Sequence, residues 1–303
     1  MSLQPNSITN PDLSETKNAK TAKPRSLWMD SLFHLLKSKT SLIGFCIIFI
    51  LIVTAIFAPL IATHSPTEQS ILNQYQTPSS EHWLGTDALG RDIFSRIIYG
   101  TRISIQIGVI AVGISMIIGV LLGSVAGYFG KWADQIIMRF VDILLAFPSI
   151  LLAIALVAVL GPSLRNAMIA VGIIGIPQFA RIIRSAVLSV KETEYIEAAR
   201  AIGAKHGRTL MQHVLPNCIA PIIVQATLSV GTAILDAAGL SFLGLGAQPP
   251  TPEWGAMLSD GRAALQNAPW VITFPGLAIF FVVIGFNLFG DGLRDALDPK
   301  LKK

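Results

Sequence analysis

Long apolar stretches alternate with short polar segments along most of this chain. An α-helix needs about 20 apolar residues to cross the hydrocarbon core of a bilayer. Six stretches approach or exceed this length, at residues 41–62, 103–128, 136–160, 166–187, 217–245 and 270–290. The fifth is longer than one crossing requires, so it is expected to tilt or to break near Gly231. The pattern predicts an all-α polytopic membrane protein with six transmembrane helices.

The composition indicates that most of the protein surface contacts lipid. Hydrophobic residues make up 52% of the 303 residues, charged residues make up 14%, and the mean hydropathy is +0.61. Soluble domains carry about 25% charged residues, and a soluble fold of this length has no means of burying so much apolar surface. The net charge of +5 does not indicate nucleic-acid binding, because the basic residues lie at the ends of apolar stretches and form no continuous stripe. The lipid bilayer is therefore an expected partner, and nucleic acid is not.

The distribution of basic residues predicts which helix ends face the cytoplasm. Most Lys and Arg residues fall in the N-terminal region, in the second and fourth connections between apolar stretches, and at the C-terminus. Five arginines remain for the opposite face: Arg91, Arg96, Arg102, Arg165 and Arg262. Positive residues concentrate on the cytoplasmic side of membrane proteins. We therefore expect a multi-pass protein of the inner (cytoplasmic) membrane, with both termini in the cytoplasm.

The chain divides into a polar tail, a short entry helix and one membrane domain. Residues 1–26 are rich in Asn, Thr, Ser, Lys and Pro, which predicts a disordered cytoplasmic tail. Apolar residues recur at helical spacing within residues 27–40, which indicates an amphipathic helix at the membrane interface. No short apolar core with a small-residue cleavage site precedes the first long stretch, so a signal peptide is not expected. Residues 41–303 form the predicted transmembrane domain.

The longest connection expected outside the cytoplasm spans residues 63–102. Its first part contains scattered Pro, Gln and Asn and is expected to be irregular. Its second part, EHWLGTDALGRDIFSRIIYGTR, interleaves charged and apolar residues. This pattern favours an amphipathic segment held at the membrane surface over the alternative, a solvated loop.

A charged segment, residues 191–216, lies between the fourth and fifth apolar stretches. Tyr195, Ile196, Ala199 and Ile202 fall near one face of a predicted helix, and the glutamates fall largely elsewhere. Several alanines keep the side chains short, which allows another surface to approach the backbone closely. By the positions of the basic residues, this segment is expected in the cytoplasm.

The rest of this segment predicts a turn and a second short helix. Gly203 is suited to positive φ and to ending the first helix. A second amphipathic stretch follows, and Pro216 marks the start of the next membrane helix. Two short helices joined by a tight turn are expected to form a compact, rigid projection. Such a projection can transmit a displacement between a soluble partner and the membrane. The alternative is an interfacial loop that only connects two helices.

The order of residues in this segment resembles a known element, the EAA loop of permease subunits from ABC importers. The residues that carry the resemblance are Glu197, Ala198, Ala199, Gly203, Ala204, Leu215 and Pro216. The resemblance implies that these residues bind an ATPase subunit and form a coupling loop. His213 departs from the family pattern, which usually has Ile there, and Val214 is expected to supply the apolar contact instead.

Three further stretches extend the resemblance across most of the chain. Residues 82–102, 240–258 and 287–302 look like the peptide/nickel branch of these permeases. The resemblance implies the type I ABC importer permease (MetI-like) fold, and a subunit that translocates dipeptides or short peptides by alternating access. It also implies the partners: a second permease subunit in a heterodimer, two ABC ATPase subunits and an extracytoplasmic substrate-binding protein.

No catalytic, cofactor or metal site is expected in the chain itself. The nucleotide-binding pattern GxxxxGK[ST] does not occur, because Gly130 and Lys131 lack both the upstream Gly and the following Ser or Thr. HExxH pairs, Cys/His clusters and nucleophile elbows are also absent from the sequence. ATP hydrolysis is therefore expected in separate subunits.

Two acidic residues inside apolar stretches are candidates for the translocation path, because an intramembrane charge is costly and usually functional. Asp142 follows Arg139 at i,i+3, which favours a helix-surface ion pair. Asp236 lies deeper in its stretch and has no obvious partner nearby in the sequence. It is expected either to face the path and meet a peptide ammonium or to pair with a residue of the second permease.

Other transporter classes and cargoes remain open at this point. An ion-coupled secondary transporter usually shows internal repeats or broken helices around polar sites at the membrane midplane. No convincing repeat occurs here, and intramembrane charge is sparse. Within the importer class, nickel and oligopeptides are alternatives to dipeptides.

Overall fold

The computed structural model describes residues 38–297, and almost all of the regular structure is helical. The helices are α1 (Lys39–Ile56), α2 (Ala58–Ile61), α3 (Ile93–Phe129), α4 (Lys131–Ala146), α5 (Ser149–Leu160), α6 (Leu164–Lys191), α7 (Glu194–Ala201), α8 (His206–Phe242), α9 (Trp254–Gly261) and α10 (Trp270–Leu297). Within residues 38–297, β structure is limited to one isolated bridge between Thr86 and Asp92. The predicted tail, most of the predicted 27–40 helix and residues 298–303 lie outside the described residues.

Five helices in the described part of the chain are long and apolar enough to cross a membrane: α1, α3, α6, α8 and α10. The third predicted crossing, residues 136–160, is not one helix. Instead, α4 and α5 meet at an angle of 93°, with extended backbone at Phe147 and with Pro148 preceding α5. Proline lacks the N–H of a continuous helix, and its ring disfavours helical backbone at the preceding residue. The count reaches the predicted six only if this bent pair forms one crossing.

The centre of the bundle is the side-by-side pairing of α3 and α6, which run in the same direction. Gly123 of α3 lies against the backbone of Ala180 in α6, and Gly127, one turn later, lies against Arg184. Small residues at every fourth position allow two helices to approach to backbone contact. Because the two helices advance together, both end on the same side of the membrane.

The remaining long helices, α1, α8 and α10, pack against this pair. The fifth crossing, α8, was expected either to tilt or to break near Gly231. Regular α-helix runs unbroken through Gly231, so the expected break there is wrong. The glycine lies instead beside α10, near the backbone of Val283. α10 also packs against α1, where Gly44 meets the backbone of Phe289.

Large apolar side chains cover the outside of the bundle. The following residues of α1, α3 and α10 are each more than half exposed: Phe49, Ile50, Val109, Ile117, Leu121, Phe280 and Phe281. Soluble monomers rarely leave apolar patches of this extent in contact with water. The exposed side chains therefore fit a bilayer, as the composition predicted.

The connection predicted at residues 63–102 is shorter than expected, because α3 already begins at Ile93. The carboxylate of Asp92 caps this helix by accepting the N–H of Ser95 at 2.7 Å. The end of the amphipathic stretch thus forms the first turns of a long membrane helix. The local pattern of apolar and charged residues did not distinguish a surface segment from a helix that enters the bundle.

A second connection, between α8 and α10, contains a helix that the sequence pattern did not predict. Glu253 begins α9 by accepting the N–H groups of Gly255 (2.9 Å) and Ala256 (2.8 Å). Burial raises the pKa of the Glu253 carboxyl group, and these two hydrogen bonds oppose the rise. The indole of Trp254 is buried and donates to the carbonyl of Ile97 in α3, so α9 is fixed against the bundle.

Buried charges hold these two connections together at the end of the bundle where α3 begins. Arg91 donates to Asp87 (Nε to Oδ2, 2.6 Å) and to Asp260 (Nη2 to Oδ2, 3.0 Å). Arg96 donates to the carbonyl of Pro66 at 3.1 Å. Both arginines are almost completely buried, and a buried charge needs such partners. The network fastens the α2–α3 connection to α9.

Candidate coupling and translocation sites

The first half of segment 191–216 folds as a short helix, α7, followed by a tight turn. Gly203 has a φ of +86°, the left-handed conformation predicted for it. Its N–H bonds to the carbonyl of Arg200 at 2.9 Å, and the N–H of Ala204 bonds to the carbonyl of Ala199 at 3.1 Å. These bonds satisfy carbonyl groups that the end of α7 leaves open.

The second predicted short helix is not separate from the fifth crossing, so this expectation is wrong. From its start, α8 passes through a π-helical turn at Thr209–Val214 and a 3-10 turn at Leu215–Cys218 into regular helix. Pro216 lies within the first two positions of the 3-10 turn, where a missing N–H is tolerated. The end of the coupling segment is therefore continuous with the fifth crossing, although its hydrogen-bond pattern is irregular over Thr209–Cys218.

Ile196 anchors α7 to the bundle. Its side chain is fully buried, as is Val214 in α8. Both belong to an apolar cluster that also contains Tyr128, Ile183, Val187, Leu210 and Cys218. Full burial of such a side chain contributes about 1.5–3 kcal/mol. α7 therefore rests on the ends of three membrane helices, and Val214 makes the apolar contact that was expected of it next to His213.

Tyr128, at the end of α3, supplies a second attachment that the sequence reading missed. Its hydroxyl group lies 3.3 Å from Nδ1 of His206, and the guanidinium of Arg200 lies 5.3 Å from its ring centroid. Nearby, Lys191 donates to the carbonyl of Gly127 at 3.1 Å. The only signal in the sequence was an aromatic residue at the end of an apolar stretch. Such residues are common at membrane interfaces and do not by themselves indicate a contact.

The face of the segment turned away from the bundle is open and carries short, apolar and charged residues. Of the residues predicted to bind a partner, Glu197, Ala198, Gly203 and Pro216 are exposed, and Ala199, Ala204 and Leu215 are half-buried. Ile202 does not share the buried face of Ile196, because it follows the end of α7 and is 87% exposed. Met211 is also 65% exposed. Exposed apolar side chains beside short ones indicate a protein-binding surface.

A cavity of about 530 Å³ opens among α3, α4, α5, α6 and α8. Its walls are mainly apolar, as is usual for sites that hold small organic molecules. The polar residues in the walls are Ser115, Ser149, Gln178, Arg181, Ser229, Thr232 and Asp236. The structure thus places the candidate Asp236 at a cavity between membrane helices.

Asp142 pairs with a different arginine from the one predicted. Nη2 of Arg181 in α6 donates to Oδ1 of Asp142 in α4 at 2.7 Å, and the ion pairs of the described residues include none between Asp142 and Arg139. The i,i+3 spacing within α4 favoured Arg139, but α6 brings Arg181 closer. Both paired side chains are about half exposed, so the pair contributes at most about 1 kcal/mol. Asp142 is not among the residues that line the cavity.

Comparison with known families gives two matches that together span most of the chain. Residues 119–303 match the family of binding-protein-dependent transport system inner membrane components. Residues 26–78 match the N-terminal transmembrane domain of oligopeptide transport permease C.

Individual relatives agree with these matches. The chain is 57% identical to the dipeptide transport system permease protein DppC of Alkalihalophilus pseudofirmus, over 91% of both chains. It is 56% identical to the glutathione transport system permease protein GsiD of Pectobacterium atrosepticum, over 74% of this chain and 75% of the relative. Among solved structures, an inward-facing chain of the MetNI methionine ABC transporter aligns with a TM-score of 0.55 at 20% identity, over 67% of this chain and 97% of that one. This last likeness shows that the fold is the predicted MetI-like one.

Proposed function

The chain belongs to the family of binding-protein-dependent transport system inner membrane components, and we propose that it moves dipeptides or other short peptides into the cytoplasm as one membrane subunit of an ATP-driven importer. The relatives are named for dipeptide and glutathione transport, and glutathione is itself a short peptide. These names support a peptide as the cargo over nickel. The chain is a permease subunit, and ATP hydrolysis belongs to separate subunits.

α7 rests on helices that also line the cavity, and this relationship is the main support for the proposed function. Ile196 and Tyr128 connect α7 with α3, α6 and α8, and the same three helices contribute cavity walls. A displacement applied to α7 therefore reaches the cavity through packed side chains. Alternating access requires such a connection, because the ATPase must bias two arrangements of the membrane helices.

The open face of segment 191–216 is the proposed docking surface for one ATPase subunit. Its small and apolar residues allow close contact over a short helix, with Glu197 available for a polar contact at the rim. A second ATPase subunit docks in the same way on the second permease. ATP closes the two ATPases together, the two coupling segments approach each other, and the cavity opens outward.

The orientation proposed for the chain follows from its basic residues and from the helix directions. The segment between α6 and α8 is rich in Lys and Arg, which favours the cytoplasmic side. α3 and α6 run in the same direction, so the α2–α3 connection lies at the other end of the bundle. That end faces outward and receives the substrate-binding protein, and both termini lie in the cytoplasm at the inner membrane.

An apolar groove between α8 and α10 is the proposed contact with the second permease. Its lining contains Leu235, Ala238, Gly239, Phe280 and Ile284. Small residues in such a groove allow close packing of another helix. Leu235 lines both this groove and the cavity, so the translocation path lies next to the subunit contact.

Asp236 is proposed to meet the ammonium group of the peptide. It lines the cavity, and the ion pairs of the described residues do not include it. A carboxylate in mainly apolar walls attracts a cationic group strongly, because the surroundings screen little. Pairing with a cation of the second permease is the competing role.

Uptake by the reconstituted complex tests this function. Proteoliposomes that contain this chain, the second permease, both ATPases and the binding protein are supplied with radiolabelled alanyl-alanine. Accumulation should require ATP and every subunit. Uptake by this chain alone, driven by a proton or sodium gradient, would contradict the proposal and favour a secondary transporter. The cargo is then ranked by how strongly different peptides, nickel and longer oligopeptides protect the binding protein from thermal unfolding.

A further inference from the structure

Three potential metal ligands meet at the end of the bundle where α3 begins, away from the coupling segment. They are His64, shortly after α2, His82, later in the α2–α3 connection, and Asp92, the cap of α3. One ligand atom from each lies within 4.8 Å of the other two. We propose that these three residues bind a divalent transition-metal ion, with Zn²⁺ as the ion that fits the ligand set.

The distances between the ligand atoms suit a single ion. Oδ1 of Asp92 lies 3.0 Å from Nδ1 of His82 and 3.9 Å from Nδ1 of His64. The centroids of the two imidazole rings are 4.6 Å apart. Two ligands of a tetrahedral Zn²⁺, each at about 2.0–2.1 Å, lie about 3.3 Å from each other. The two separations from Asp92 lie on both sides of this value, and the ligand atoms of the two histidines lie within 4.8 Å of each other, so binding one ion requires side-chain rotations that shorten the longer distances.

Neighbouring contacts hold the ligands in place, and one of them, between the hydroxyl of Thr63 and Nδ1 of His64 at 3.0 Å, would be replaced by a bound ion. Oδ2 of Asp92 accepts the N–H of Ser95 at 2.7 Å, which leaves Oδ1 directed at the histidines. The hydroxyl of Ser95 accepts the backbone N–H of His64 at 3.0 Å. The first turn of α3 thus positions both the carboxylate and the chain that carries His64. Such supporting contacts orient ligands in metal sites.

Protein atoms alone do not satisfy the ring of His82. The residue is 4% exposed, and its Nδ1 faces Asp92. Its Nε2 is buried with no hydrogen-bond partner among the described residues. Unpaired polar atoms of this kind are uncommon in folded proteins, but the ligand atom proposed for His82 is Nδ1, so the unpaired Nε2 is not one of the proposed ligand atoms.

The ligand set selects the class of ion. Two imidazoles and one carboxylate are typical of zinc and neighbouring transition metals, whereas Mg²⁺ and Ca²⁺ prefer oxygen ligands throughout. The His64 side chain is 33% exposed and the Asp92 side chain 1%, so an ion reaches the site past His64. Once bound, it fastens the α2–α3 connection to the first turn of α3.

Zn²⁺ binding to the assembled importer, with affinity tags removed, tests the site. Binding is measured by competition with a chromophoric zinc chelator. We expect His64→Ala to weaken binding at this site at least tenfold. His213→Ala, which changes a histidine in the coupling segment, is the matched control and should bind as the wild type does. Equal Zn²⁺ binding by the wild type and His64→Ala would overturn the proposal.

Cobalt provides a second readout that does not depend on affinity. Co²⁺ in a site of nitrogen and oxygen ligands with low coordination number absorbs visible light strongly. We expect this band in the wild type and its loss in Asp92→Asn, in which the side chain still caps α3 because Asn is a good cap residue. A band that persists in Asp92→Asn, or no band in the wild type, contradicts the assignment. Neither result depends on whether the importer carries peptides.

Discussion

The guanidinium of Arg200 lies 5.3 Å from the ring centroid of Tyr128, so the last turn of α7 is held against the last turn of α3. The same tyrosine reaches His206 at the start of α8 through its hydroxyl group. One side chain therefore joins the proposed coupling segment to two of the helices that line the cavity. Contacts of this kind determine whether the segment moves with the bundle or independently of it.

Replacement of Tyr128 should uncouple ATP hydrolysis from transport. Tyr128 is buried and belongs to the apolar cluster beneath α7, so we expect Tyr128→Ala to loosen the support of α7 and to lower the peptide transported per ATP severalfold. The ATPases should still bind, because the open face of the segment is unchanged. The measurement is the ratio of peptide uptake to phosphate release in proteoliposomes. Tyr128→Phe keeps the ring beneath Arg200 and should retain most of the coupling. A wild-type ratio in Tyr128→Ala would show that Tyr128 does not transmit the movement.

Gly203 should be required for its backbone conformation. A Cβ atom there meets nothing within 4 Å in this subunit, so within the subunit a substitution acts through the positive φ, which costs a residue with a Cβ atom about 1–2 kcal/mol, and at the docking surface it also adds bulk against the ATPase. We expect Gly203→Val to weaken binding of the ATPase subunits, as measured by their co-purification with the permease. Gly207→Ala is the matched control, because a Cβ atom at this position also meets nothing within 4 Å but the glycine lies in a helix. Unchanged co-purification with Gly203→Val would remove this residue from the docking surface.

The charge of Asp236 should be necessary for uptake. Asp236→Leu and Asp236→Asn both remove the proposed partner of the peptide ammonium, and we expect both to impair the initial rate of uptake while the complex still assembles. Asp291→Asn is the control, since this carboxylate is exposed in α10 and does not line the cavity, and it should change uptake little. Normal uptake kinetics in Asp236→Leu would exclude Asp236 from the path. Loss of the second permease from the purified complex would identify a subunit contact instead.

The contact between α3 and α6 should tolerate no added side-chain volume at Gly123. A Cβ atom there would overlap the backbone of Ala180, and overpacking of this kind typically costs about 1–3 kcal/mol. We expect Gly123→Ala to lower the thermal unfolding midpoint in detergent. Gly113→Ala, in the same helix but with nothing within 4 Å of the added atom, is the control and should not lower it. Equal midpoints for the two variants would contradict the packing described.

Patterns local in the sequence predicted much of this protein. Runs of apolar residues located the long helices, because the thickness of a bilayer sets the length of a crossing. Glycine at position 203 predicted positive φ, since residues without a Cβ atom enter that conformation at little cost. The break before α5 also has a local cause, Pro148, but hydropathy does not register it. The apolar run therefore continued across a bend that the proline imposes.

The sequence by itself determined the lipid-exposed composition, the membrane helices and the polar segment between the fourth and fifth crossings. Each of these depends on residues that are neighbours along the chain. Only the tertiary structure decided that Asp142 meets Arg181 and that His64, His82 and Asp92 gather at one point. The spacing of residues in the sequence did not indicate the proposed metal site, because the ligands come from separate parts of a connection that folds back onto α3. Such contacts depend on how helices and loops pack in three dimensions. The periodicity of a sequence does not show which residues from distant parts of the chain will lie close together.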